Sequence, residues 1–271
     1  MEVSLAGRTA LITGGSKGLG FAMAELFTAS GADVAIVARG KEGLDQAVKA
    51  IETANAKGGG SNMRGRVVAI AGDVAKPEDC KRIYDEAMKA FGKIDILVNN
   101  AGESRAVPFE NLTDEVFETD INQKIFACIR LTRQVWPQMK ERRWGRVINV
   151  LNTAAKAPRA ASAPTSVTRA AGMAMTKVLA GEGAPHNVLV NALLVGLIES
   201  DQHVRGAKRA GVAVDDYLGQ RAKAIPLGRA GRSMEFANIA CFLASDAGSY
   251  ITGTAINVDG GGAVWVNEFN A

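Results

Sequence analysis

Cysteine and histidine are scarce in this chain, and long apolar runs are missing. Cys80, Cys128 and Cys241 stand far apart, are odd in number and fall outside any metal-ligand spacing. They give no metal site, and they suit reduced thiols in a reducing compartment. No basic segment near the N-terminus leads into a long apolar stretch, and no apolar run reaches bilayer-spanning length. A cytoplasmic protein with no membrane partner is expected. Lys and Arg number 32 against 28 Asp and Glu, a net charge of +4 with no basic block, which speaks against a nucleic-acid partner. No low-complexity tract or internal boundary divides the 271 residues, so one α/β domain over 1–271 is expected. At 47% hydrophobic residues the chain has ample material for a core.

The chain is organised around its first glycine-rich stretch, T-G-G-S-K-G-L-G at 13–20. It follows a short apolar run at 9–12 and leads into residues 21–27, whose apolar positions recur at helical spacing. Strand, glycine turn and helix form the layout in which backbone N–H groups and a helix N-terminus receive a phosphate. Glycine takes positive φ and has no Cβ to hold a ligand off, so a pyrophosphate can approach the main chain. Gly14, Ser16, Lys17, Gly18, Leu19 and Gly20 are therefore candidate cofactor residues. The spacing T-G-x-x-x-G-x-G is one residue longer between its first two glycines than the usual dinucleotide fingerprint.

Downstream, apolar strands alternate with amphipathic helices. Strands are expected at 33–38, 66–71, 94–98, 146–151, 187–194 and 255–258. Helices are expected at 41–55, 77–91, 113 to about 140, about 162–182 and 233–244, with an irregular helical region at 201–225. The glycine-rich segment at about 57–65 reads as a flexible surface loop. Buried strands alternating with helices mean a doubly wound parallel sheet covered on both faces.

Ligands of such sheets sit at the carboxyl ends of the strands. After the second strand, Ala38 leaves room for a phosphate and Arg39 offers a forked guanidinium suited to a 2′-phosphate. With Lys17 nearby, this pair favours NADP(H) over NAD(H). Asp73 and Val74, after the third strand, could meet the adenine. After the fourth, Asn99, Asn100, Ala101 and Gly102 form a small-residue turn beside the cofactor.

With these motifs in hand, the chain resembles the short-chain dehydrogenase/reductase family over nearly its whole length. The resemblance rests on T-G-x-x-x-G-x-G at 13–20, Asp73-Val74, N-N-A-G at 99–102, Asn122 in D-I-N-Q-K, and G-R-V-I-N-V at 145–150. It continues through N-V-L-V-N-A at 187–192, P-L-G-R at 226–229 and S-Y-I-T-G-T-A-I-N-V-D-G-G at 249–261. The later part is most similar to the 3-oxoacyl carrier-protein reductases. The resemblance implies a Rossmann sheet, a nicotinamide nucleotide and a homo-oligomer, a tetramer or dimer, built on the helices at 113–140 and 162–182. It further implies that Gly196, Ile198 and Ser200 contact the cofactor, and that about 196–225 form a substrate lid. The Ala, Val and Leu of that lid suggest a small-molecule substrate and a partly apolar pocket.

The family's catalytic Asn, Ser, Tyr and Lys are only partly present. Asn122 matches, the serine position falls on Asn152, and Y-x-x-x-K falls on Thr165 and Arg169. No shift of register repairs this, since Tyr84, Tyr217 and Tyr250 are followed four residues on by Met88, Arg221 and Thr254. A phenol, with a pKa of about 10, can be tuned to give up its proton, whereas a threonine hydroxyl is a far weaker acid. Arg169 can still clamp a ribose but cannot release a proton at ordinary pH. Asn152 could point an amide at a substrate oxygen, or simply cap its strand. Lys156, Ser162, Glu103, His203 and Tyr217 are candidate proton donors, none selected by the sequence. Three readings stay open: an NADP(H)-dependent carbonyl or alcohol oxidoreductase with a substituted proton relay, a non-catalytic nucleotide-binding homologue serving as scaffold or sensor, and an enzyme of non-redox proton transfer or elimination.

Overall fold

The alternating faces of one short strand set the layering. In β1 (Thr9–Thr13) every residue is buried. Ala10 and Ile12 pack into one apolar cluster, and Leu11 points the other way into a second, as the twofold repeat of a strand requires. The structure, a computed structural model, describes residues 3–57 and 64–263. In chain order it continues with α1 (Gly18–Ala29), β2 (Asp33–Ala38), α2 (Lys41–Lys57), β3 (Val67–Ala71), α3 (Pro77–Phe91) and β4 (Ile96–Asn99). Next come β5 (Ala106–Val107), α4 (Asp114–Ile121), α5 (Ala127–Glu141), β6 (Gly145–Asn152), β7 (Ala163–Pro164) and α6 (Thr165–Gly183). The chain then forms β8 (Val188–Val195), α7 (Asp201–Ala210), α8 (Val214–Ala222), α9 (Ser233–Ala244) and β9 (Ala255–Val258).

Seven strands form a parallel sheet in the order β3-β2-β1-β4-β6-β8-β9. Helices α1, α2 and α9 supply Phe27, Ile51 and Phe236 to one face. On the other face α3, α5 and α6 supply Ile83, Leu131 and Ala180. The expected doubly wound architecture is therefore what the chain adopts. Its order reverses between β1 and β4, which places a crevice at their carboxyl ends.

Local chemistry explains the well-placed boundaries. Pro77 opens α3, Glu78 and Asp79 sit in its first turn, and Gly92 closes it at φ 75°. At the start of α9, Glu235 accepts from the Arg232 amide at 2.8 Å.

Two expectations are corrected. The helix expected over 113–140 is two helices joined by a π turn, Asn122–Phe126. The helix expected from 162 begins at Thr165, because Ala163 and Pro164 pair antiparallel with β5. Of the expected loop at 57–65, residues 58–63 lie outside the described residues, and Lys57 ends α2. No helix among the described residues is long and apolar enough to cross a membrane.

Candidate active site

A cavity of about 970 Å³ opens at the carboxyl ends of β1, β2, β4 and β6, at the upper end of what small-molecule sites occupy. Its first wall is the glycine turn. The N-terminus of α1 carries no side-chain cap and no acidic residue in its first turn. Its amides and positive dipole end thus face the cavity without a competing anion. Gly20 does not line the cavity. A Cβ there would strike Gly14 O and lie 2.7 Å from Asn100 Nδ2, so its role is close packing behind the turn. Asn100 stitches the β4 turn to the β1 turn, its Nδ2 donating to Thr13 O at 2.8 Å and Gly14 O at 3.2 Å. Thr13 Oγ1 accepts in turn from the amides of Asn100 and Ala101.

Beyond the turn the cavity is lined by Lys17, Arg39, Asp73 and Val74. Arg39 is exposed and makes no hydrogen bond or ion pair among the described residues. Asp73 Oδ1 accepts from the Ala75 amide, which fixes its carboxylate at the end of β3. Four cationic side chains, Lys17, Arg39, Arg169 and Arg205, line the cavity against two carboxylates, Asp73 and Glu103. That excess suits a polyanionic ligand.

At the other end stand Ala101, Gly102, Asn152, Arg169, Gly196, Ile198 and Ser200. Arg169 is 9% exposed, with Nη1 donating to Val150 O at 2.8 Å. Burial lowers its pKa to about 10. Asn152 Oδ1 is buried with no hydrogen-bond partner. The segment after β8 is pinned by Gly231: its amide donates to Leu197 O, and its carbonyl accepts from the Glu199 amide. The segment expected as a lid contributes Gln202, His203 and Arg205 to the cavity, so its inward-facing side chains are mostly polar. Arg205 reaches Glu103 at 3.0 Å.

Two of the four candidate catalytic side chains lie elsewhere. Asn122 is outside the cavity lining, with Nδ2 donating to Glu118 O and Oδ1 accepting from Arg130. Thr165 is 2% exposed and also outside it. Its Oγ1 accepts from the Arg105 amide and from Lys124 Nζ, both at 2.8 Å. Among the candidate proton donors Glu103 and His203 line the cavity, while Lys156, Ser162 and Tyr217 do not. Lys156 is committed to Ala255 O and Asn257, and Ser162 to Arg159 O. Burial and the Arg221 charge hold the His203 pKa below its ordinary value.

Sequence reasoning missed Lys124. It sits fully buried against Asp120 at 2.5 Å, with its pKa lowered to about 8 by burial first and by Arg169 second. In sequence, Asp and Lys four apart on a helix read as an exposed pair, and nothing there signals burial.

A family model described as enoyl-(acyl carrier protein) reductase matches residues 14–262. The 3-oxoacyl-(acyl-carrier-protein) reductase of Aquifex aeolicus is 33% identical over 261 residues, 96% of this chain and 99% of that protein. The chain is a short-chain dehydrogenase/reductase. Two solved structures of similar proteins sharpen the comparison of this short-chain dehydrogenase/reductase. The L-sorbose reductase of Gluconobacter frateurii, complexed with NADPH and L-sorbose, superposes with a TM-score of 0.91 at 32% identity, covering 98% of this chain and 100% of that one. An NADPH-bound short-chain oxidoreductase of Pseudomonas aeruginosa, described as containing an atypical catalytic centre, superposes with a TM-score of 0.86 at 34% identity. It covers 95% of this chain and 97% of its own.

Proposed function

We propose that this short-chain dehydrogenase/reductase is an NADP(H)-dependent oxidoreductase that interconverts a carbonyl and an alcohol on a small molecule without the family's tyrosine–lysine pair. The observation that carries the reading is one cavity shared by Arg39 at its outer end and by Arg169 and Asn152 at its inner end. The uncapped N-terminus of α1 would take the pyrophosphate. Arg39 and Lys17 would hold the 2′-phosphate, Asp73 and Val74 the adenosine, Arg169 the nicotinamide ribose, Ile198 the carboxamide side, and Ser200 would lie near the pyrophosphate. The cofactor, when bound, supplies or accepts the hydride. Asn152, which lines the inner end of the cavity, would donate from its Nδ2 to the substrate oxygen.

Losing the tyrosine does not remove the larger contribution. Holding two reactants in register is worth about 7–11 kcal/mol, whereas acid–base assistance supplies about 3–5 kcal/mol. The burial of Thr165 away from the cavity favours a second reading, a homologue that binds nucleotide without turnover. Exposed Phe126, Val167 and Val178 on the π turn and α6 support a homo-oligomer built on these helices, which light scattering would test.

Titration with NADPH and NADH, followed by a carbonyl panel, separates the readings. Oxidation of NADPH by one of the carbonyls supports the reductase. Binding without turnover supports the scaffold, and substrate conversion with unchanged nicotinamide absorbance supports elimination.

A further inference from the structure

A buried polar cluster lies just behind the cavity wall. Lys124 Nζ donates to Asp120 Oδ1 at 2.5 Å and to Thr165 Oγ1 at 2.8 Å. Thr168 Oγ1 donates to the second Asp120 oxygen at 2.7 Å. Both charged side chains are fully buried. A buried ion pair adds little stability over apolar packing of the same volume, so its presence points to another use.

We propose that Lys124 is the proton source of the reaction, acting through the Thr165 hydroxyl. This rests on the reductase reading above. Thr165 occupies the position of the family's phenol, one strap of backbone below the cavity. Gly102, Glu103 and Ser104 line the cavity, and the next amide, Arg105 N, sits on Thr165 Oγ1. The wall is thin because residue 102 is glycine, with φ +152°. A Cβ there would lie 3.1 Å from Arg169 Nη2 and 3.3 Å from Lys124 Cγ. Two residue pairs, Ala106 with Pro164 and Val107 with Ala163, tie the strap to β7 just before α6. Glu103 and Ser104 tie its other end to Arg205 and Gln202 of the lid. For the transfer, the Arg105 amide has to leave Thr165 Oγ1 and the hydroxyl has to face the cavity.

The step balances as follows. As the carbonyl carbon gains the hydride, its π pair moves to oxygen, which takes the Thr165 proton. Thr165 oxygen takes a proton from Lys124 Nζ in the same event, so no free alkoxide forms. Lys124 is left a neutral amine and takes back a proton from water while the strap is displaced. Alcohol oxidation runs the same transfers in reverse. Lys124 touches neither substrate nor cofactor and is a positioning residue that also carries charge.

The groups facing it suit the task. Burial opposes its ammonium most strongly, and Arg169 of α6 and Arg105 of the strap add repulsion, while Asp120 of α4 favours the charge. The outcome, about 8, lies near the operating pH, where a proton donor is most effective.

The test is the pH dependence of kcat/KM for carbonyl reduction, paired with NMR titration of labelled lysines in the cofactor-free protein. The wild type should lose reduction as pH rises through about 8, with one lysine, absent in Lys124→Arg, titrating there. Lys124→Met should lower kcat about 10²–10³-fold at pH 7 and abolish that limb, with NADPH affinity retained. Lys124→Arg should move the limb beyond the measurable range. If Lys124→Met does not fold, the double variant Asp120→Asn with Lys124→Met removes the unpaired buried charge and takes its place. An unchanged limb in these variants, or a Lys124 amine titrating above 10, overturns the proposal. Turnover of no carbonyl by the wild type overturns the reductase reading itself.

Discussion

The Arg205 guanidinium lies 3.0 Å from the Glu103 carboxylate, joining the lid helix α7 to the strap after β4 across the mouth of the cavity. Both side chains are about half exposed, so the pair is screened and contributes little to global stability. The lid expected at about 196–225 would be held over the cavity by this pair, so its effect should be seen in cofactor release. Arg205→Ala should raise the NADPH dissociation rate about two- to fivefold, the equivalent of about 0.5–1 kcal/mol, and leave the Tm unchanged. Stopped-flow measurement should find the difference gone at 1 M salt, where the screening length is about 3 Å.

The inner end of the cavity yields a second prediction. Asn152 and Arg169 line the same wall of the cavity, and the Asn152 Nδ2 is the group there able to donate to a substrate oxygen. Asn152→Ala should lower kcat/KM about 10²–10³-fold, as losing a group that faces a developing oxyanion does, while NADPH affinity stays as it was. Equal losses in cofactor affinity and turnover would assign Asn152 to the cofactor instead.

Much of this was legible from the chain itself. The sheet could be read because each strand is a short apolar run punctuated by glycine or a cap, and α3 and α9 start and stop on explicit signals at Pro77, Gly92 and Glu235. The cavity wall was legible wherever glycine or charge marks a strand end, as at Lys17, Arg39 and Gly102. The π turn at 122–126 was not, since its residues suit an ordinary helix and only the backbone ring size changes. Nor was the burial of Thr165 and Lys124. Both are set by the strap at 103–107, whose two-residue pairing with β7 has no pattern to detect.

Behind the glycine turn, Gly20 is held by contact and not by conformation. A methyl group there would meet the Gly14 carbonyl of the turn and the Asn100 side-chain amide that ties the turn to the one after β4. Gly20→Ala should destabilise the fold by at least about 3 kcal/mol, beyond ordinary overpacking because backbone is struck. A chain of this size should then lose about 6 °C or more in Tm. Differential scanning calorimetry checks this.

Acid stability carries a signature at the start of α9. The Arg229 guanidinium, with the Arg232 amide, holds the Glu235 carboxyl at about 2, below its ordinary 4.5. A depressed carboxylate pKa adds stability that is present above about 4.5 and is lost as pH falls toward about 2. The Tm difference between wild type and Glu235→Gln should therefore be largest at neutral pH and shrink across that window. A difference that is constant with pH would contradict the assignment.

The central claim is that a 2′-phosphorylated nicotinamide cofactor occupies the cavity between Arg39 and Arg169. Isothermal titration calorimetry of the wild type and Arg39→Ala with NADPH and NADH tests it most directly. One NADPH should bind per chain, more tightly than NADH by about tenfold or more, as a charge-assisted phosphate contact provides; Arg39→Ala should shrink the preference, and Arg39→Ala with Lys17→Ala should erase it. Binding of neither coenzyme, or a preference for NADPH unchanged in Arg39→Ala, would contradict the account.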